Sequence, residues 1–193
     1  MSGLGAVAGA YLADMAAHAI EAEERLVPVE EYLRTMYHPD CDYVDGRVEE
    51  RNVGEFEHAG VQKVILRLLW AKEEEWRINA IQECRLQVSP ARFRVPDGMV
   101  LRAEQVVDRM VREVPLLCIE VLSPEDTWKR LRGVLGDYLA MGVKHIWAFD
   151  PEERVAYRFD ADGFHPVADA EMVVEGTEVR LVVAEVFALL PAR

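Results

Sequence analysis

The chain is short of cysteine, short of positive charge and without a long apolar run, and each shortage removes a class of protein. Its three cysteines, Cys41, Cys84 and Cys118, are odd in number and widely spaced, with no Cys-x-x-Cys pair and no zinc-ligand spacing. A disulfide-stapled scaffold and a zinc module are thereby excluded, and a reducing cytoplasm is the expected setting. No apolar run approaches the roughly 18 residues that a membrane span requires, so no membrane partner is expected. Residues 1–20 are rich in Ala and Gly but lack a basic start and carry Asp14 and His18, which does not suit a signal peptide. Lysine and arginine number 22 against 35 aspartates and glutamates, a net charge of −13, which opposes nonspecific binding to a polyanion. There is no Gly-x-Ser-x-Gly elbow, phosphate-binding Gly-rich loop, His-Glu-x-x-His or dinucleotide fingerprint. Serine-elbow hydrolases, P-loop NTPases, zincins and Rossmann dehydrogenases therefore have no support.

What is present suffices for a core. At 193 residues and 51% hydrophobic content the chain predicts one domain, or at most two, without internal repeats or a low-complexity linker. Leu4, Val7, Ala8, Tyr11, Leu12, Met15, Ala19 and Ile20 recur at helical spacing. They predict an added N-terminal helical extension over residues 1–26, packed on the domain or on a partner subunit, or else an upstream segment without fixed structure. The domain proper is expected over 27–193.

Within it, a short helix is expected over 29–36, with Pro28 just ahead of it. Asp45-Gly46 between two alternating runs marks a hairpin. A long helix is expected over 57–77, with Val61, Ile65, Leu68, Leu69 and Trp76 on one face. Strands follow near 80–88, 96–101 and 115–122, then a helix opening at Ser123-Pro124 and stopping at Gly142. A strand over 144–150, a hairpin around Asp162-Gly163, a strand over 178–183 and a closing helix over 186–190 complete the order. Trp70, Trp76, Trp128 and Trp147 read as core or interface residues rather than stacking platforms for bases.

Two carboxylates carry the chemistry. Asp97 follows Pro96, which cannot occupy a central sheet ladder, so it belongs at an edge, bend or bulge. Glu120 lies inside the apolar run around Cys118 and Ile119, which reads as a buried strand. An ionised carboxylate removed from water needs a partner or becomes neutral. Either Glu120 turns to solvent by strand alternation, or it joins Asp97 in holding one divalent metal ion.

The ordered set Asp42-Tyr43-Val44-Asp45-Gly46-Arg47-Val48, His58, Arg94-Val95-Pro96-Asp97, Glu120-Val121-Leu122-Ser123-Pro124 and the run from Tyr138 through Gly142 to Pro151 resembles a bacterial putative restriction endonuclease family of the PD-(D/E)xK nuclease superfamily. The resemblance covers roughly residues 27–190. It implies an α/β (α+β) fold, a restriction endonuclease-like mixed β-sheet flanked by helices. It also implies Asp97 and Glu120 as ligands of Mg²⁺ or Mn²⁺, DNA as substrate, and a homodimer. The superfamily lysine is normally two residues after the glutamate, where this chain has Leu122, and the family moves it to the position occupied here by Val134. Arg130 and Lys129 are the candidate replacements, and with Arg132 they form either a catalytic set or a solvated helix face. His58 and Gln62, one turn apart, are expected to point into the cleft, where an acidic or polar group of the first helix is often found. Asp42 is a further candidate there. Arg85, Arg92 and Arg94, with the cluster around Lys129, form either a local basic stripe or ordinary surface charge. Two readings result: a metal-dependent endonuclease, or an inactive descendant of the fold acting as a homo-oligomeric interaction module.

Overall fold

The computed structural model describes residues 26–52, 55–167 and 170–190, so the helix expected over 1–26 lies, but for Leu26, outside the described residues. In chain order these residues form α1 (Val29–Arg34), β1 (Asp42–Val44), β2 (Arg47–Glu49), α2 (Phe56–Trp70), α3 (Glu73–Trp76), β3 (Ile78–Ile81), β4 (Leu86–Ser89), β5 (Arg92–Arg94), β6 (Gly98–Arg102), β7 (Leu117–Val121), α4 (Trp128–Met141), β8 (His145–Asp150), β9 (Val155–Asp160), β10 (Gly163–Val167), β11 (Glu171–Val173), β12 (Arg180–Val182) and α5 (Val183–Ala188). A six-stranded mixed sheet runs β10-β9-β8-β7-β6-β3, and a four-stranded antiparallel sheet runs β2-β1-β5-β4. β7 and β8 are parallel, and a parallel pair needs a crossover connection, which α4 supplies.

Strand alternation divides the core into two layers. Leu117, Ile119 and Val121 of β7, with Trp147 and Phe149 of β8, face α2, where Val61, Val64, Ile65 and Leu69 meet them. Cys118, Ile146 and Ala148 face the opposite way, against Leu131, Leu135 and Tyr138 of α4. The intervening position on β7, Glu120, therefore points to the α4 side. This is the α/β arrangement of helices on both faces of a mixed sheet.

Several expected boundaries move for identifiable reasons. The long helix ends at Trp70; a separate turn carries Trp76, and Arg77 at φ 54° reverses the chain into β3. The strand expected over 80–88 is two strands in different sheets, and the one expected over 96–101 begins at Gly98. Val95-Pro96-Asp97 is the crossing between the sheets, consistent with a proline kept off the ladder. α4 starts at Trp128, not at Ser123. Asp126 Oδ2 accepts from the Ser123 amide at 2.8 Å, closing a local turn, and the Thr127 hydroxyl then caps the helix by accepting from the Arg130 amide. Gly142, at φ 102°, ends it as expected. The Asp45-Gly46 hairpin has positive φ at both turn residues, which favours this pair. Of the four tryptophans expected in the core or at an interface, Trp147 is buried and Trp76 packs partly buried against the core, whereas Trp70 and Trp128 are about half exposed.

The two sheets are tied beside the crossing by Arg94. Its buried guanidinium pairs with Asp42 Oδ2 at 2.8 Å, Asp137 Oδ2 at 2.7 Å and Glu49 Oε2 at 3.1 Å, joining β5 to β1, β2 and α4. Asp42 Oδ1 accepts the Val95 amide at 2.9 Å. Burial pushes the Asp42 carboxyl up in spite of Arg94. Removing one member of such a buried network leaves the others uncompensated. Arg94→Met is expected to cost roughly 3–5 kcal/mol in urea unfolding followed by far-ultraviolet circular dichroism, and a loss below about 1 kcal/mol would refute this role.

Candidate active site

The register of the sheet brings the two carboxylates together. Gly98 pairs with Ile119 across antiparallel β6 and β7, so the preceding Asp97 stands across from Glu120. Asp97 is almost wholly buried, and its carboxylate is held from three sides. Oδ2 accepts the Val121 amide at 2.7 Å and lies 3.2 Å from His58 Nε2, while Oδ1 accepts from Arg51 Nη2 at 2.7 Å. Gln62 donates to the Asp97 backbone carbonyl at 2.9 Å. His58 and Gln62 thus share one face of α2, as their spacing predicts, and both engage Asp97.

Glu120 receives the Tyr138 hydroxyl on Oε1 at 2.5 Å. Burial and the nearby negative charge of Asp97 drive its carboxyl well above the ordinary range, and the Tyr138 hydrogen bond offsets only part of this. For Arg51, burial works against the charge, but Asp97, Glu120 and Asp42 outweigh it and the guanidinium is held cationic. His58 follows the same pattern: burial lowers its pKa, the hydrogen bond to Asp97 and the charge of Asp97 raise it, and the net direction is upward.

Asp97, Glu120, Arg51, His58, Arg130 and Val134 line a small pocket of about 40 Å³. Arg130, Val134 and Tyr138 follow one another at four-residue spacing, so a single stripe of α4 borders the carboxylates. Val134, 8% exposed, occupies the position where the family resemblance expects lysine. Arg130 Nη1 is pinned to Asp126 Oδ1 at 2.9 Å, and its Nη2 donates to the Glu50 carbonyl at 3.2 Å. Lys129 is exposed and does not line this pocket. Beside it lies a larger cavity of about 170 Å³, which shares His58, Ser123 and Asp126 and adds Trp128, Asp150 and Glu152.

The arginines expected ahead of Asp97 are engaged within the fold. Arg92 pairs with Asp45 and Asp137, and Arg94 is buried among three carboxylates. Arg85 forms a two-pronged pair with Asp40 and lies over the Tyr32 ring at 4.3 Å. The structure therefore brings these three into a scaffold of ion pairs. Sequence reasoning missed Arg51, Asn52 and Asp126 altogether and used Tyr138 only as a motif landmark. The position of Tyr138, one helical turn past Val134, is the signal the sequence offers; for Arg51, two residues past β2, it offers none.

Among the described residues no group of three or more His, Cys, Asp or Glu side chains is arranged to hold a metal ion. Asp97 and Glu120 nevertheless suit a hard dication of the Mg²⁺ type, which is commonly bound by one or two carboxylates with water and substrate oxygens completing its shell. Burial first and the charge of Asp97 second drive Glu120 toward its neutral form, and a dication between the two carboxylates would oppose both.

A mixed sheet with helices on both faces, carrying paired carboxylates at adjoining strand ends, defines a protein of the restriction endonuclease-like class. The chain belongs to the Uma2 family, described as "putative restriction endonuclease", whose family model matches residues 29–184. Its fold resembles the crystal structure of a putative nuclease of the DUF820 group from Anabaena variabilis, with a TM-score of 0.74 and 18% identity over 85% of this chain and 100% of that one. A cryo-electron microscopy structure of a DrdV–DNA complex matches more loosely, with a TM-score of 0.37 and 16% identity over 69% of this chain and 13% of that one. No curated protein matches the chain. Family and fold support a nuclease function.

Because Glu120 is held protonated to a higher pH in the folded chain than in the unfolded one, its contribution to stability falls as pH rises from the unfolded carboxylate range through the folded value. Glu120→Gln keeps an acceptor for Tyr138 and removes that cost. In metal-free buffer the variant is expected to match the native protein at low pH and to exceed its Tm by a few degrees at pH 8, about 1 kcal/mol corresponding to roughly 2–4 °C at this size. A gap that shrinks with rising pH would contradict the assignment.

Proposed function

We propose that this protein is a metal-dependent DNA endonuclease that hydrolyses phosphodiesters with a metal-activated water. The convergence of Asp97 and Glu120 on one pocket at adjoining strand ends carries the reading. Bound Mg²⁺ or Mn²⁺ would acidify a water and neutralise charge on the phosphate under attack. The chain's own residues do the rest. Asp97 and Glu120 are the ligands; Val121, His58 and Gln62 fix Asp97, and Tyr138 orients Glu120. Arg130 brings a permanent positive charge to the pocket rim, suited to a phosphate oxygen but not to carrying a proton. Lys129, outside the pocket, falls behind Arg130 as a replacement for the missing lysine. Cutting both strands of a duplex calls for two sites related by two-fold symmetry, so the reading includes a homodimer.

One observation favours a second reading. Val134 lines the pocket as an apolar, buried side chain where the lysine is expected, which suits a metal-binding protein that has lost turnover and serves as a homo-oligomeric interaction module.

Cleavage of supercoiled plasmid and of single-stranded DNA in Mn²⁺ and Mg²⁺ tests both. The native protein is expected to cut, Asp97→Ala and Glu120→Ala to lose at least about 100-fold, and Val134→Lys to gain about tenfold or more, within the range of one positioned acid–base group. If Val134→Lys alone cuts, the second reading replaces the first. If none of the four cuts, the nuclease assignment fails.

A further inference from the structure

Asp97 has one oxygen that the scaffold leaves to a single long side chain. Oδ2 is committed to the Val121 amide and to His58, both parts of regular elements, and Oδ1 is taken by Arg51. A cation shared with Glu120 must therefore compete with the Arg51 guanidinium for Oδ1. The side chain of Arg51 is only 14% exposed, so the pair is shielded from solvent and stronger than a surface ion pair.

The backbone on either side of Arg51 is fastened. The Glu50 carbonyl accepts from Arg130 Nη2 at 3.2 Å, and Asn52 Nδ2 donates to Asp126 Oδ1 at 2.8 Å. Asp126 also holds Arg130, so one carboxylate anchors both sides of the segment to the start of α4. With its neighbours tethered, Arg51 leaves Asp97 by side-chain rotation, and its guanidinium stays within the same pocket. A planar guanidinium released there finds its best partner in a phosphate, which it grips through two parallel hydrogen bonds.

We propose that Arg51 is a displaceable counter-ion, seated on Asp97 when the site holds no ligand and transferred to the scissile phosphodiester when metal and substrate bind. Asp97 is never left uncompensated, and the positive charge that the absent lysine would have supplied arrives with the substrate. Metal and Arg51 then exclude one another at Oδ1, while metal and phosphodiester favour one another. The transfer to phosphate rests on the nuclease reading; the competition at Asp97 does not.

Isothermal titration of Mn²⁺ into the full chain without DNA separates these parts. Arg51→Met is expected to bind Mn²⁺ about tenfold or more tightly than the native protein, in the usual range for coupled binding events. Arg51→Gln, which keeps polarity but not charge, is expected to do the same and guards against a folding defect in the first variant, with circular dichroism as the check. Equal or weaker Mn²⁺ affinity in both folded variants overturns the proposal, as does absence of Mn²⁺ binding by native protein and variants alike. In plasmid cleavage at saturating Mn²⁺ both variants are expected to lose kcat; full cleavage despite tighter metal binding overturns the transfer to phosphate. A native protein that binds Mn²⁺ and never cuts sinks the nuclease reading, and the titration still decides the competition.

Discussion

The carboxylate of Asp97 is the point on which the rest of the structure depends. It stands where the chain crosses from the four-stranded to the six-stranded sheet, and it accepts hydrogen bonds or ion pairs from β7, α2 and the segment after β2. A buried carboxylate is tolerated only when its lone pairs are filled. The folding of these distant segments is therefore linked through one side chain. Pro96 contributes by holding the preceding backbone off the ladder, and Arg94 contributes by fixing the strand that delivers it.

Around that point the site is built from opposing charges at short range. Arg94 and Arg51 lie on either side of the Val95-Pro96-Asp97 crossing, each against carboxylates, and Asp42 links the two by accepting the Val95 amide. This explains how a chain of net charge −13 keeps two arginines, Arg51 and Arg130, in the lining of the pocket: the arginines are drawn inward to carboxylates rather than spread as a surface stripe. The same inward pull limits how much free positive surface remains near the cleft for a polyanion.

Much of the fold was legible in the sequence because its signals were local. The Asp45-Gly46 turn, the Gly142 stop and the apolar run around β7 each rest on a short-range rule; the turn and the stop are found where expected, and the strand expected over 115–122 is found as Leu117–Val121. Boundaries failed where side chains intervened across the chain. Asp126 took the Ser123 amide and delayed α4, and the chain left the helix at Ala71 and Lys72 although the apolar periodicity continued through Trp76. In the site, Asp97, Glu120, His58 and Gln62 could be named because motif order and helical spacing point to them. Arg51 could not, since nothing local distinguishes it from Arg47 four residues earlier; only the crossing of the sheets brings it to Asp97.

The apolar Val134 has a consequence for Glu120 beyond the loss of a catalytic group. A lysine at that position would border the pocket and stabilise the ionised carboxylate, whereas valine adds low-dielectric surface beside it. Tyr138, one turn further along the same stripe, can donate a single hydrogen bond but brings no charge. Glu120 is thus left with Asp97 as its strongest charged neighbour and Arg51 as an opposing charge, and burial decides the balance toward the proton. The cation missing from α4 and the guanidinium supplied from the β2 side are two parts of one electrostatic problem: a pair of facing carboxylates that the fold can hold only if positive charge reaches them from somewhere.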